Sequence, residues 1–349
     1  MKRARPFVLL ALLALFLAFP WLSPNEAVNA IAVFTLLSMA AATGWNVFSG
    51  YTGYISLGHA AYLGVGAYAL AIICKQANIQ NGYMPFLLLP LCGLVAAVFA
   101  LPLGWIALRT RRHTFMVVTI AIFFTLQLLA YNLAGLTNGS AGIFLPPPPF
   151  GVESYNEVFY YVALVLLLAA LGTSWWVRHS KYGLGLLAIR DDEDRALSLG
   201  IRSVPFKLSA YIISAYLVGI VGALLVYFIG SVYPQFAFDP AFDVTIALMA
   251  FLGGVATVAG PILGALIVAP LQQYLIIQYG ANGLDLIIFG ALLLAVILLL
   301  PEGIVPTLRK KWTQWIASSR KGAGSTVLVT GAGRQDESAV AESGGGGKG

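Results

Sequence analysis

Charge is scarce in this chain of 349 residues. Only 10% of them are Asp, Glu, Lys or Arg against 59% hydrophobic, and the mean hydropathy is +0.86. A water-soluble domain of that size cannot present such a composition to solvent, so the chain reads as an all-α polytopic membrane protein. Cysteine is nearly absent. Cys74 and Cys92 lack framework spacing, which argues against a disulfide scaffold or thiolate metal centre and leaves two packed thiols. Of three histidines, His113 and His179 lie in basic loops without ligand spacing, so no metal site is expected. Rarest are ionisable groups inside the apolar runs: His59 and, at expected outer ends, Asp243 and Asp285. Proton and ion relays need such groups, and their scarcity argues against an ion-coupled carrier. No nucleophile constellation suggests an integral membrane enzyme either.

Apolar runs, in contrast, recur at the roughly 20 residues that cross a bilayer about 30 Å thick. Ten spans are expected, over 7–22, 28–48, 52–73, 85–108, 114–135, 157–177, 208–230, 242–257, 260–279 and 283–300. With Lys2, Arg3 and Arg5 inside, alternation puts every Lys and Arg but Lys75 on the cytoplasmic side, as the positive-inside rule demands. Both termini are then cytoplasmic. The net charge of +6 follows from topology, and no nucleic-acid partner is implied. MKRAR before an apolar run also resembles a secretory signal peptide, but no convincing A-x-A site follows, so the first span is read as retained.

Five spans before residue 150 and five after start on opposite sides, the arrangement of two inverted five-helix halves. Two glycine-rich segments fall in nearly corresponding places. One is "GYTGYISLGHAAYLGVGAYALAI" (50–72), the other "FLGGVATVAGPILGALI" (251–267). Paired interruptions of this kind point to a pathway at the repeat interface, with Tyr51, Gly53, Tyr54, Ser56, Gly58, His59, Gly253 and Gly254 as candidates. Close helix packing alone also accounts for such glycines, and His59 fits either a packing role or a substrate contact. The outer loop 137–156, with its four prolines, reads as a stiff spacer and a candidate docking surface. Residues 1–306 form the membrane domain, and 307–349 a basic, Gly/Ser/Ala-rich disordered cytoplasmic tail. In that tail "VLVTGAGR" (327–334) and "GGGGKG" mimic nucleotide loops without the strand and helix that such loops need, so no nucleotide is expected to bind this chain.

The long cytoplasmic loop 178–207, "RHSKYGLGLLAIRDDEDRALSLGIRSVPFK", concentrates the remaining charge. Asp191, Asp192, Glu193 and Asp194 are flanked by Arg190 and Arg195. "ALSLGI" from Ala196 reads as a short helix stopped at Gly200, with Pro205 ahead of the next span. Together with Gly183 and Gly185 this forms a compact element suited to fit a cleft in a cytoplasmic partner.

Five segments in order, "NVFSGYTGYISLGHAAYLGVGAYA", "LTNGSAGI", "GLGLLAIRDDEDRALSLGIRSVPFKLSAYIISAYLVGIVGALL", "FLGGVATVAGPILGA" and "LPEGI", resemble the M-type permease subunit of branched-chain amino acid ABC importers. The resemblance covers roughly 28–306. "DRALSLG" is similar to the EAA-type loop of ABC importer permeases, with Asp194 where Glu is usual and Glu193 one residue before it. The resemblance implies an alternating-access half-pore in a bacterial inner membrane, paired with a homologous H-type permease. It also implies two cytoplasmic ATPases, which would bind ATP and Mg, and a periplasmic substrate-binding protein. The coupling contact with the ATPases would then fall on 183–200. Importers of urea or short amides resemble the same family, so the substrate stays open, and a carrier or channel is the reading from a different class.

Overall fold

The structure, a computed structural model, describes residues 14–22, 25–80, 82–279, the isolated positions 287, 290, 291 and 294, and 303–307. The expected tenth span, Asp285 and the nucleotide-like stretches of the tail lie almost wholly outside the described residues. One compact unit runs Met1–Ile304; of the second, Val305–Gly349, only 305–307 are described, in helical conformation.

The helices are α1 (14–22), α2 (Glu26–Trp45), α3 (His59–Gln76), α4 (Met84–Ala107), α5 (Arg112–Asn132), α6 (Ala134–Thr137), α7 (Val152–His179), α8 (Lys181–Asp191), α9 (Glu193–Ser198), α10 (Ser203–Ile229), α11 (Pro234–Ala237), α12 (Pro240–Gly253) and α13 (Gly260–Tyr279). Local chemistry sets their ends. Asn25 caps α2 by accepting from Ala27 N at 3.0 Å, and Asp239 caps α12 by accepting from Ala241 N at 2.9 Å, with Pro240 at the first helical position. Gly230 stops α10 at φ +84°, a conformation that L side chains rarely adopt.

Among the described residues seven helical stretches are long and apolar enough to cross a membrane. Their outward faces are apolar: Leu87, Val98, Val117 and Leu128 are all more than 60% exposed, which fits a surrounding of hydrocarbon and marks a multi-pass membrane protein. α10 forms the centre and packs on α3 and α4, while α2 packs on α12 and α13 and also meets α10. Exchanging α2 with α10, α3 with α12 and α4 with α13 reproduces this set of neighbours.

Several expectations need correction. The span expected over 52–73 is interrupted, because a π-helical turn at Asn46–Gly50 leads into non-helical chain through 53–58 and α3 starts only at His59. The span expected from 208 begins at Ser203, so Pro205 lies in the first turn of α10, where its missing N–H is harmless. In the packing correspondence, the break before α3 matches 230–239 before α12. The two glycine-rich segments therefore do not occupy corresponding places; they touch, with Asn46 donating to Thr257 O at 3.0 Å and accepting from Ala256 N at 2.9 Å. The loop expected over 137–156 as a stiff spacer is shorter than that and holds secondary structure of its own. Its Ile143–Phe144 strand (β1) pairs antiparallel with Ser231–Val232 (β2), and residues from 152 onward belong to α7.

Candidate functional site

The interrupted segment between α2 and α3 is held by groups from four helices. Lacking helical partners, its backbone must find others inside the protein. Trp45 Nε1 donates to Ser56 O at 3.0 Å, Ser49 Oγ accepts from Ser56 N at 3.2 Å, and Thr119 Oγ1 of α5 accepts from Leu57 N at 3.2 Å. Gly58 is required by a close approach, since a Cβ there would stand 2.5 Å from Thr119 O. Gly53 is required twice over: φ is +72°, and a Cβ would meet Arg190 Cγ at 2.9 Å. Tyr51 reaches Ser174 of α7, hydroxyl to hydroxyl, at 2.8 Å.

At the inner end of this segment lies a buried polar cluster. His59 Nε2 is 2.7 Å from Ser214 Oγ, and Ser214 gives its only proton to Gly44 O at 2.7 Å, so the imidazole donates from Nε2. Asp243 Oδ1 accepts from His59 N at 2.9 Å, and its carboxylate also bonds Ala60 N, so α12 caps the first turn of α3. Tyr62 donates to Tyr211 at 3.1 Å beside the imidazole. Asp243, expected at the outer end of its span, is 3% exposed and sits level with Ser214, about 16 Å along α10 from its first residue. The cause is 231–239, which turns back into the bundle far enough for the Phe238 ring to pack against Gly64.

At the other end the segment meets the charged loop, which is two helices rather than one. Asp192 separates them: with φ −157° it caps α9, accepting from Arg195 N at 3.0 Å. Gly183 and Gly185 do not punctuate a loop; a Cβ at Gly183 would stand 1.8 Å from Val177 O and one at Gly185 2.6 Å from the Phe206 ring, so α8 seats directly on α7 and α10. Asp191, Asp194, Arg195, Leu197, Leu199 and Gly200 are exposed, Leu199 by 81%. Ala196 is buried.

Glu193 turns inward. Its Oε1 pairs with Lys207 Nζ at 2.6 Å and its Oε2 accepts from the Tyr54 hydroxyl. Burial on its own raises the Glu193 carboxyl, but hydrogen bonds from Lys207, Tyr54 and Ser203 outweigh it and hold the group below its ordinary 4.5. Lys207 Nζ also donates to Tyr54 at 3.2 Å and lies 4.2 Å above its ring. Arg112 donates to the last carbonyls of α8, Ile189 O at 3.2 Å and Arg190 O at 2.6 Å. Between this cluster and the 108–113 loop opens a cleft of about 560 Å³ lined by basic Arg109, Arg111 and His113 and by acidic Asp191 and Asp194. Of the eight pathway candidates Tyr54 alone borders it; Gly253 and Gly254 instead make the turn after α12, where a Cβ on Gly253 would stand 1.6 Å from Gly260 O. Among the described residues no cluster of His, Cys, Asp and Glu could hold a metal ion.

Sequence reasoning missed Lys207 and Arg112, filed as loop charge. Lys207 is the only Lys, Arg, His, Asp or Glu of the 27-residue α10.

Residues 27–297 match the branched-chain amino acid transport system / permease component family. The chain is 28% identical over 327 residues to the high-affinity branched-chain amino acid transport system permease protein LivM of Salmonella typhimurium, covering 86% of this chain and 75% of the relative; LivM of Escherichia coli matches to the same extent. It is also 27% identical to the Escherichia coli permease protein LivH, over 76% of this chain and 89% of that protein. No solved structure matches significantly. With more than three-quarters of its length inside the family's match, this chain belongs to the branched-chain amino acid transport system permease components.

Proposed function

We propose that the chain is the M-type permease subunit of an ATP-binding-cassette importer that moves branched-chain or related hydrophobic amino acids across a bacterial inner membrane. The observation that carries this is its likeness, over most of its length, to LivM and, at lower coverage, to LivH. Relatives of both types point to a pair of permeases, here an H-type partner. Two cytoplasmic ATPases holding ATP and Mg, and a periplasmic binding protein, complete the importer. The chain itself is a transport subunit, not an enzyme. In this reading ten helices form two inverted halves with both termini cytoplasmic, residues 1–306 being the membrane domain and 307–349 the tail; the exchange of neighbours around α2 and α10 supports the two halves.

In this reading the exposed edge of α8–α9, with Asp191, Asp194, Arg195 and Leu199, meets the ATPases. Gly183, Gly185, Arg190 and Ala196 seat the element against the bundle. Closure of the ATPase dimer would push it as a rigid piece, and the spans around it would rock between inward-open and outward-open states.

An ion-coupled carrier is the second reading, favoured by Asp243 buried inside the bundle. Uptake of radiolabelled leucine into proteoliposomes holding the complete complex separates the two. Uptake is expected to require ATP, and Asp194→Arg is expected to abolish it while the ATPases no longer copurify. ATP-independent uptake driven by a proton or sodium gradient would replace the importer with the carrier.

A further inference from the structure

We propose that Glu193, Lys207 and Tyr54 form an internal latch that carries displacement of α8–α9 into the interrupted segment between α2 and α3. Glu193 then acts within this chain rather than as a contact for the ATPases. The inference rests on the permease reading above.

Three observations carry it. First, the acidic run divides by direction: Asp191 and Asp194 are exposed and Asp192 caps α9, while both oxygens of Glu193 are engaged inward, on Lys207 and Tyr54. Lys207 is 2% exposed, and a cation that deep is tolerated only when paired, so it ties Glu193, itself 23% exposed, to the bundle. Second, the element has two further ties to the same region. Arg112 of α5 holds the last carbonyls of α8, and the Arg190 side chain fills the space above Gly53, next to Tyr54 in the chain. Third, five residues beyond Tyr54 stands His59, whose backbone N–H is held by Asp243 of α12 and whose ring meets Ser214 of α10. A shift of α9 thus reaches α3, α10 and α12 through one short non-helical segment, with no long lever.

The geometry separates binding from transmission. Exposed Asp194 and Arg195 serve attachment; the latch converts attachment into movement of the segment. A substitution in the latch should leave the ATPases bound and hydrolysing while less substrate moves per ATP.

The test measures leucine uptake and ATP hydrolysis in the same proteoliposomes holding the complete complex, with Glu193→Gln, Tyr54→Phe and the exchange Glu193→Lys with Lys207→Glu. Tyr54→Phe removes a single hydroxyl and keeps the ring, so it guards against simple misfolding. Leucine moved per ATP is expected to fall about tenfold or more in Glu193→Gln, the effect of losing a charge-assisted hydrogen bond, and less in Tyr54→Phe. The exchange variant is expected to recover part of the loss. An unchanged ratio in Glu193→Gln with ATP-dependent uptake by the wild type would overturn the latch alone. So would loss of the ATPases from Glu193→Gln, which would make Glu193 an attachment residue, or a fall of uptake and hydrolysis in proportion, which would make the cluster merely structural. ATP-independent uptake by the wild type would overturn the permease reading, and the latch with it.

Discussion

Asp243 and Lys207 are polar side chains buried where the apolar pattern of the sequence offers no reason for them. Asp243 follows Pro240 near the start of an apolar run, which looks like the rim of a span; only the return of 231–239 into the bundle puts it against the first turn of α3. Lys207 looks like the last charge of a loop, and becomes a buried partner because α10 starts four residues earlier. Glu193, by contrast, stands in a charged run that the sequence itself displays, but its direction is not legible, since Asp191, Asp192 and Asp194 beside it carry the same charge. Its ionisation yields a prediction. The depressed carboxyl means that the anion is stabilised by folding, so its contribution is present above the ordinary value of 4.5 and lost as pH falls through the lower folded value. Lys207, Tyr54, Ser203 and, across the Tyr54 ring, Arg112 are the groups that face it. The difference in thermal stability between wild type and Glu193→Gln in detergent should therefore be constant from pH 8 to about 5 and shrink below 4.5. A difference that instead vanishes near pH 7 would mean the pair is not formed.

Elements were legible where length and apolarity suffice, as for α2, α4, α5, α7, α10, α12 and α13, and illegible where backbone polar groups are satisfied from a distance. Nothing near 53–58 in the chain announces that Thr119 and Asp243 will supply the partners that a helix would have supplied itself. The glycines of α3 and α10 show the opposite case, in which a local residue type does report a tertiary fact. A Cβ on Gly66 would stand 2.0 Å from Gly219 O, and one on Gly222 2.0 Å from Leu63 O, so the two helices cross with backbone on backbone. Gly66→Ala or Gly222→Ala should cost about 1–3 kcal/mol or more through overpacking. Gly172→Ala in α7, with open space around the site, should be neutral or gain up to about 1 kcal/mol from helix propensity. Thermal unfolding followed by size-exclusion of the detergent-solubilised protein checks the contrast; equal losses at all three positions would contradict the crossing.

At the scale of the whole molecule the distribution of Lys and Arg suggested orientation, and the inverted halves could be inferred from parity of the spans, but the neighbours of α2 and α10 could not. Orientation has a direct test. Leu199, 81% exposed beside α9, and Phe144, 74% exposed on β1, lie at opposite ends of the proposed topology. In intact cells an impermeant maleimide should label Phe144→Cys with access to the periplasm and leave Leu199→Cys untouched until the inner membrane is opened. The native thiols should stay silent in both, because Cys74 and Cys92 are 2% and 0% exposed.

The pairing of β1 with β2 bears on how the chain is made. Ile143 is synthesised roughly ninety residues before its partner Val232, on the order of ten seconds of ribosome time. During that interval the first half sits in the bilayer with its strand unclaimed, and the bond from Leu145 N to Gly230 O can form only after α10 has been threaded across. Closing this clasp therefore requires α7 and α10 but none of the helices that follow β2. A protease that cuts within 143–145 would then distinguish chains in which α10 has yet to insert from those in which it has.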